Sequence, residues 1–252
     1  LDGGSGHDFL YASGADSLFG GDGIDAFIFQ SIVDLRAPGR IVDGGAGYDR
    51  IELKFSSSVT DDDFFDIRNI ELIWQNTAVP GTLILGLNVA AAMSNFVKVE
   101  NARNVDGSAL SANVEATLIG TVEADTLLGG SGSDQLDGHN GDDELIGNAG
   151  NDSLVGGIGA DTLIGGNGSD TLSGGLENDV LIGGTGADFV SYAAVTSAIT
   201  VNLQSGIAFG PDGTDSLTAI EGILGSSHSD SLIGSSGNDT IAGGFGADTL
   251  DG

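Results

Sequence analysis

Apolar residues return along this chain with a period of nine. From position 120 the eighth place of each nine-residue unit is apolar: Leu127, Leu136, Leu145, Leu154, Leu163, Leu172, Leu181 and Val190. Each sits in a triplet of the form x-apolar-x, which predicts a short strand with one side chain pointing inward. The six residues between triplets are rich in Gly, Asn and Ser and predict a reversal of the chain. Glycine there permits positive φ and close packing of neighbouring turns. One unit is then half a coil, and eighteen residues complete a coil. Units n and n+2 stack on the same edge, and their strands pair at a spacing of about 4.8 Å.

The period is continuous over 120–191 and returns in three units at 225–251 and in shorter runs before 50. Between these stretches it is lost. Residues 50–119 keep short β-type runs at Ile51–Phe55, Ile70–Trp74, Thr82–Leu87, Phe96–Glu100 and Ala116–Ile119, which predict wider coils. Asp61–Asp66 reads as a helical turn with Thr60 as its N-cap. Residues 192–224 carry one alternating strand, Ile199, Val201 and Leu203, and read as an enlarged coil of one continuous solenoid. The division is therefore 1–49 and 225–252 as terminal repeats, 120–191 as the main repeat block, and 50–119 and 192–224 as insertions.

The sixth place of every unit is Asp. In the main block these are Asp125, Asp134, Asp143, Asp152, Asp161, Asp170, Asp179 and Asp188; Asp230, Asp239 and Asp248 follow, and Asp8, Asp16, Asp25 and Asp49 precede. Stacked units place these carboxylates in columns, where unpaired charges repel. Composition sharpens the problem. The chain of 252 residues has 29 Asp and 8 Glu against 7 Lys and Arg, a net charge of −30, with 44 Gly, 3 Pro and no Cys. All seven cations lie between 36 and 103, so residues 104–252 carry −22 with no internal counter-charge. A multivalent cation from outside is the natural neutraliser. Asp oxygens with backbone carbonyls form a hard, all-oxygen donor set that suits calcium rather than zinc or copper. The alternative is that these Asp residues cap turns, which is strongest for Asp16, Asp49, Asp125 and Asp230.

The unit GGxGxDx-apolar-x, in eight consecutive copies, resembles the repeats-in-toxin (RTX) family. That resemblance implies an all-β fold, a right-handed parallel β-roll or β-solenoid with several calcium ions in its turns, here with two enlarged non-canonical coil regions. It implies ions shared by sixth-place Asp residues of units n and n+2: Asp125 with Asp143, Asp134 with Asp152, Asp143 with Asp161, Asp152 with Asp170, Asp161 with Asp179, and Asp170 with Asp188. Carbonyls of the first four places complete them, most regularly Gly156, Gly157, Ile158 and Gly159, then Gly165, Gly166, Asn167 and Gly168. Thr121, Glu123, Glu177 and His228 depart from the glycine pattern and predict altered turns. Asp215, in GPDGTDSLT, lies three periods after Asp188 and mimics a repeat Asp.

Catalytic signatures are missing. His7, His139 and His228 fall in variable turn places, no GxSxG or HExxH occurs, and no Cys can act as a nucleophile. The negative field repels nucleic acid and anionic membrane, and no apolar run is long enough to cross a bilayer. Tyr48, Trp74, Tyr192 and Phe245 are read as packing residues rather than as a glycan-stacking surface. The expectation is a non-catalytic calcium-binding structural module of a secreted bacterial surface, filament or adhesin protein. The 50–119 insertion resembles segments of bacterial surface-layer proteins and large adhesins. RTX membership implies type I secretion, with folding driven by calcium outside the cell. The expected partners are calcium and either neighbouring repeats or copies of the same chain end to end. The alternative is the secretion and folding module of a type I-secreted protease, lipase or epimerase whose catalytic domain lies outside this sequence.

Overall fold

The computed structural model describes residues 1–55, 57–75, 82–86, 89, 93 and 96–252. Outside residues 200–218, successive strands alternate between two sides of a β-solenoid of about 13 coils. One side is a 12-stranded sheet reaching from Phe9–Tyr11 to Thr240–Ala242. The other is a 4-stranded sheet, Asp2–Ser5 to Ile67–Arg68, then an 11-stranded sheet bounded by Thr82–Ile84 and Thr249–Asp251.

Inward-facing apolar residues set the register. Leu136 lies opposite Leu154 and Leu154 opposite Leu172 on one side; Leu145 lies opposite Leu163 and Leu163 opposite Leu181 on the other. These leucines are fully buried, each contributing on the order of 2 kcal/mol by leaving water. Central strands are six residues long rather than the expected three, as in Ser153–Ile158 and Thr162–Asn167. The turns themselves pair coil to coil: Gly157 lies opposite His139 and Gly175, and Gly166 opposite Asn148 and Gly184.

Coils widen where the nine-residue period fails. Ala26 pairs with Arg50, and the extra residues form the short helix Ile32–Leu35, whose N-cap Ser31 Oγ accepts from the Asp34 N–H. The runs expected in 50–119 appear as Arg50–Leu53, Leu72–Gln75, Thr82–Ile84, Phe96–Glu100 and Glu115–Ile119. Leu87, at the end of one expected run, lies outside the described residues. Ile67–Arg68 and Asn104–Asp106 add strands that their short apolar content did not announce. The expected helical turn is a 3₁₀ turn, Asp61–Phe64, with the Thr60 N–H donating to Asp63 Oδ2 at 2.8 Å.

The second insertion enlarges one side only. Val190 pairs directly with Ile223 across one sheet. On the other, Thr200–Asn202, Ile207–Gly210 and Gly213–Thr218 form an antiparallel ribbon between Val180–Thr185 and Ser231–Ile233. Tyr192 packs inside, as expected, whereas Phe245 is 82 % exposed and Tyr48 43 % exposed and neither packs under the coils.

Candidate metal centre

The strand triplet anchors each sixth-place Asp at the point where turn becomes strand, so stacking the strands stacks the carboxylates. The backbone N–H of one Asp donates to Oδ1 of the Asp one coil on. Asp125 donates to Asp143 (2.7 Å), Asp143 to Asp161 (2.8 Å) and Asp161 to Asp179 (2.9 Å). In the second column Asp134 donates to Asp152 and Asp152 to Asp170 (both 2.8 Å), and Asp170 to Asp188 (2.9 Å). All six pairs expected from the repeat are thus brought together. Near the N-terminus Asp8 donates to Asp25 and Asp25 to Asp49, both at 2.9 Å. Asp230 donates to Asp248 at 3.0 Å. Asp16 is half-buried and takes no part in such a bond.

The second oxygen separates two kinds of turn. In Asp8, Asp25, Asp49, Asp143, Asp152, Asp161, Asp170, Asp179 and Asp188, Oδ2 is buried without a hydrogen-bond partner. Each lies close against the first-place glycine of its own unit. A Cβ at Gly156 would strike Asp161 Oδ2 and the Gly174 carbonyl; one at Gly138 would strike Asp143 Oδ2 and the Gly156 carbonyl. One at Gly147 would meet Asp152 Oδ2 and the Gly165 carbonyl. These turns share a backbone form with positive φ at the second and fourth places, such as Gly157 at 120° and Gly159 at 144°. Gly166 and Gly168 repeat it, and Glu177 adopts it at 83° despite its side chain. The Ile158 and Asn167 carbonyls accept from the Gly141 and Gly150 N–H groups, so they serve the inter-coil ladder.

Turns at Asp125, Asp134, Asp230 and Asp239 close on themselves instead. Their Oδ2 accepts from the second-place N–H of Thr121, Gly130, Ser226 and Ser235 respectively. The hydroxyls of Ser226 and Ser235 add bonds to Oδ1 at 2.9 Å. No positive φ occurs at these second places. The turn-capping alternative therefore describes the geometry at Asp125 and Asp230, while Asp49 falls with the open turns. A Ser or Thr at the second place was the available signal for three of them. Gly130 carries no such signal, and at that turn Leu110 lies against the glycine.

Charge explains why the open turns need a partner. Every described cation except Arg40 stands beside a carboxylate: Arg36 on Asp63, Arg50 and Lys54 on Glu52, Arg68 on Asp43, Lys98 on Glu100, and Arg103 near Asp125. Buried Arg40 serves the Asp34 and Leu35 carbonyls. The open ladder gets none. Desolvation, with repulsion from neighbouring carboxylates, pushes Asp143, Asp152 and Asp179 up to about 7 and Asp161 up to about 6. Burial also raises Asp170, Asp188 and Asp49. Among the described residues no three acidic or His side chains converge. The open turns set an unpartnered carboxylate oxygen near a backbone carbonyl of the next coil, and this donor chemistry fits a hard divalent cation.

Four residues that repeat spacing did not single out finish the columns. Glu71 and Glu221 accept from the Asp49 and Asp188 N–H groups at 2.6 and 3.0 Å. Tyr192 donates its phenol to Asp215 Oδ2 at 2.7 Å, and Asp215 Oδ1 accepts from the Asp179 N–H at 3.1 Å. Arg103, one coil before Asp125, places Nε 3.9 Å from its carboxylate.

The family model for the RTX calcium-binding nonapeptide repeat matches four copies, over residues 1–27, 119–154, 155–190 and 224–252, just over half of the chain. No curated protein matches it. The open turns lie in or beside three of those four segments, and their orphaned carboxylate oxygens fit the cation that the family binds. By its repeats and its fold, this chain belongs to the family of RTX calcium-binding nonapeptide repeat proteins.

Proposed function

We propose that this calcium-binding solenoid is a non-catalytic structural module of a secreted bacterial surface, filament or adhesin protein. Calcium outside the cell turns a self-repelling acidic chain into a stiff rod. The nine buried, unpartnered Oδ2 atoms carry this reading. A buried carboxylate without a partner opposes folding, and a chain with this many folds when an ion supplies the missing interaction. Low calcium inside the cell keeps the chain open for type I secretion. Among the described residues no helix is long and apolar enough to cross a membrane.

Association with a second copy or with further repeats is part of the same proposal. Phe9–Tyr11 and Thr240–Ala242 are the outermost strands of their sheet, and Leu250 on the last strand is half exposed. Such edges offer unpaired backbone groups. Circular dichroism in chelator and in millimolar calcium tests the folding claim; a compact β spectrum in chelator without bound metal would overturn it. Light scattering in calcium at rising protein concentration tests association, and a concentration-independent monomer would remove that part.

A further inference from the structure

We infer that Glu71 and Glu221 are calcium ligands, each supplying the final carboxylate of an ion ladder: Asp8–Asp25–Asp49–Glu71 and Asp152–Asp170–Asp188–Glu221. This inference rests on the calcium reading of the open turns and extends it to two residues outside the nine-residue repeat.

Three observations place both glutamates in the ligand position. First, each accepts the N–H of the preceding ladder Asp, Glu71 from Asp49 at 2.6 Å and Glu221 from Asp188 at 3.0 Å. Within the ladder that bond is made by the next Asp, as Asp179 makes it for Asp161 at 2.9 Å. Second, Asp49 and Asp188 are 1 % and 0 % exposed, and Oδ2 of each has no partner. The last gap therefore contains the same buried orphan oxygen as the gaps between two Asp residues. Third, the carbonyl wall is rebuilt. A Cβ at Gly165 would meet the first-place carbonyl of the next coil, Gly183. At Gly44 the corresponding oxygen belongs to Asn69, and at Gly183 to Ala219.

The two sites share one abbreviated turn that replaces six residues by three. Asn69-Ile70-Glu71 and Ala219-Ile220-Glu221 each begin with a non-glycine residue at positive φ, 55° and 51°. Each then buries an isoleucine and presents the glutamate. Non-glycine residues held in the left-handed region cost of order 1 kcal/mol and persist where surrounding structure requires them. The turn also ends the ladder. In a regular unit the Asp N–H reaches forward to the next carboxylate, whereas the Glu71 and Glu221 N–H groups donate back to the Asp49 and Asp188 carbonyls, both at 2.9 Å. No donor is left to receive another carboxylate.

The other column has ends of a different kind, which serve as an internal contrast. Asp125 is closed by Thr121 with Arg103 nearby. Asp215 Oδ2 is occupied by the Tyr192 hydroxyl. There a protein group stands at the terminal carboxylate. Neither Glu71 nor Glu221 has an ion pair or such a donor among the described residues.

The test is calcium stoichiometry on the full chain, read by competition with a chromogenic chelator. The variants are Glu71→Gln and Glu221→Gln, with Asp161→Asn and the exposed Glu144→Gln as references. Glutamine keeps an oxygen to accept the Asp N–H, so the turn is retained and only the charge is lost. Each Gln variant is expected to lose one tight ion, or to bind it at least tenfold more weakly, with the double variant losing two and the circular dichroism spectrum in saturating calcium unchanged. Glu144→Gln controls for general loss of negative charge and is expected to bind as wild type. If Glu71→Gln and Glu221→Gln match Glu144→Gln while Asp161→Asn loses ions, the glutamates are hydrogen-bond caps only and the inference fails with the calcium reading intact. If wild type binds no calcium, the calcium reading itself fails.

Discussion

Asp161→Asn should move stability in opposite directions with and without calcium. Asp161 is buried in the middle of its column, and its Oδ1 accepts the Asp143 N–H at 2.8 Å, a bond that asparagine can keep. Its carboxylate has one neighbour on each side, Asp143 and Asp179, at about the strand spacing of ~4.8 Å. Two unit charges at that distance repel by about 1 kcal/mol in water and by about 3 kcal/mol at an effective dielectric near 20. Removing two such repulsions in chelator at pH 8 outweighs the roughly 1–3 kcal/mol cost of a buried amide lacking full hydrogen bonding. At the effective dielectric near 20 of a buried site, the net gain is on the order of 3–5 kcal/mol, so the variant folds at a lower concentration of a stabilising osmolyte than wild type. In calcium the sign reverses. Asp161 is shared by two gaps, and an ion present at a hundred times its Kd stabilises by about 2.7 kcal/mol. Loss of both costs roughly 5 kcal/mol and raises the calcium midpoint. The assay is circular dichroism followed against osmolyte in chelator and against calcium without osmolyte. A variant destabilised under both conditions would show that the carboxylate acts as a turn cap, and the ladder argument would be wrong.

Three further outcomes follow from named contacts. Glu177→Gly relieves a side chain held at φ 83° and should stabilise the calcium-loaded rod by about 1 kcal/mol, read as a higher Tm. Leu163→Ala empties a fully buried rung and should cost about 2–5 kcal/mol in calcium; a loss under 1 kcal/mol by chemical denaturation would contradict the packed interior. Without calcium, Asp143, Asp152 and Asp179 hold protons in the fold up to about pH 7 but release them near 4 when unfolded. The ion-free fold is therefore favoured below about pH 4 and loses that support as pH rises towards 7. In chelator, β signal should increase as pH is lowered through that window, and calcium affinity should fall.

The regular part of the fold was legible because one side chain per unit decides it. With Leu154 inward, the period of eighteen and the stacking of Asp152 on Asp170 follow. What periodicity could not reveal was how each turn would close. Gly157 and Gly130 occupy the same place in their units, yet Gly130 adopts the closed form, with Leu110 from the neighbouring insertion lying against it. Glu177 looked like a broken turn, but coil-to-coil pairing around it holds the open form. Glu71 and Glu221 were hidden because they stand in three-residue turns, outside the count of nine. The antiparallel ribbon at 200–218 carries turn residues at Ser205-Gly206 and Pro211-Asp212-Gly213. Their placement within the solenoid depends on pairing partners distant in sequence.

The ribbon and the closed turns beside it give the rod a place to start. A linear array can begin folding wherever its first neighbouring units lock together. The open coils cannot begin alone, since each must wait for an ion. Residues 200–218 pair locally, as hairpins do within microseconds, and the turns ending at Asp230 and Asp239 are completed by their own serines. Hydrogen exchange at limiting calcium should slow the amides of Val201 and Ala208 before that of Leu163. Arriving ions would then add coils outward from a seed, so that growth runs from the C-terminal side towards the N-terminus as a zipper rather than as a general collapse.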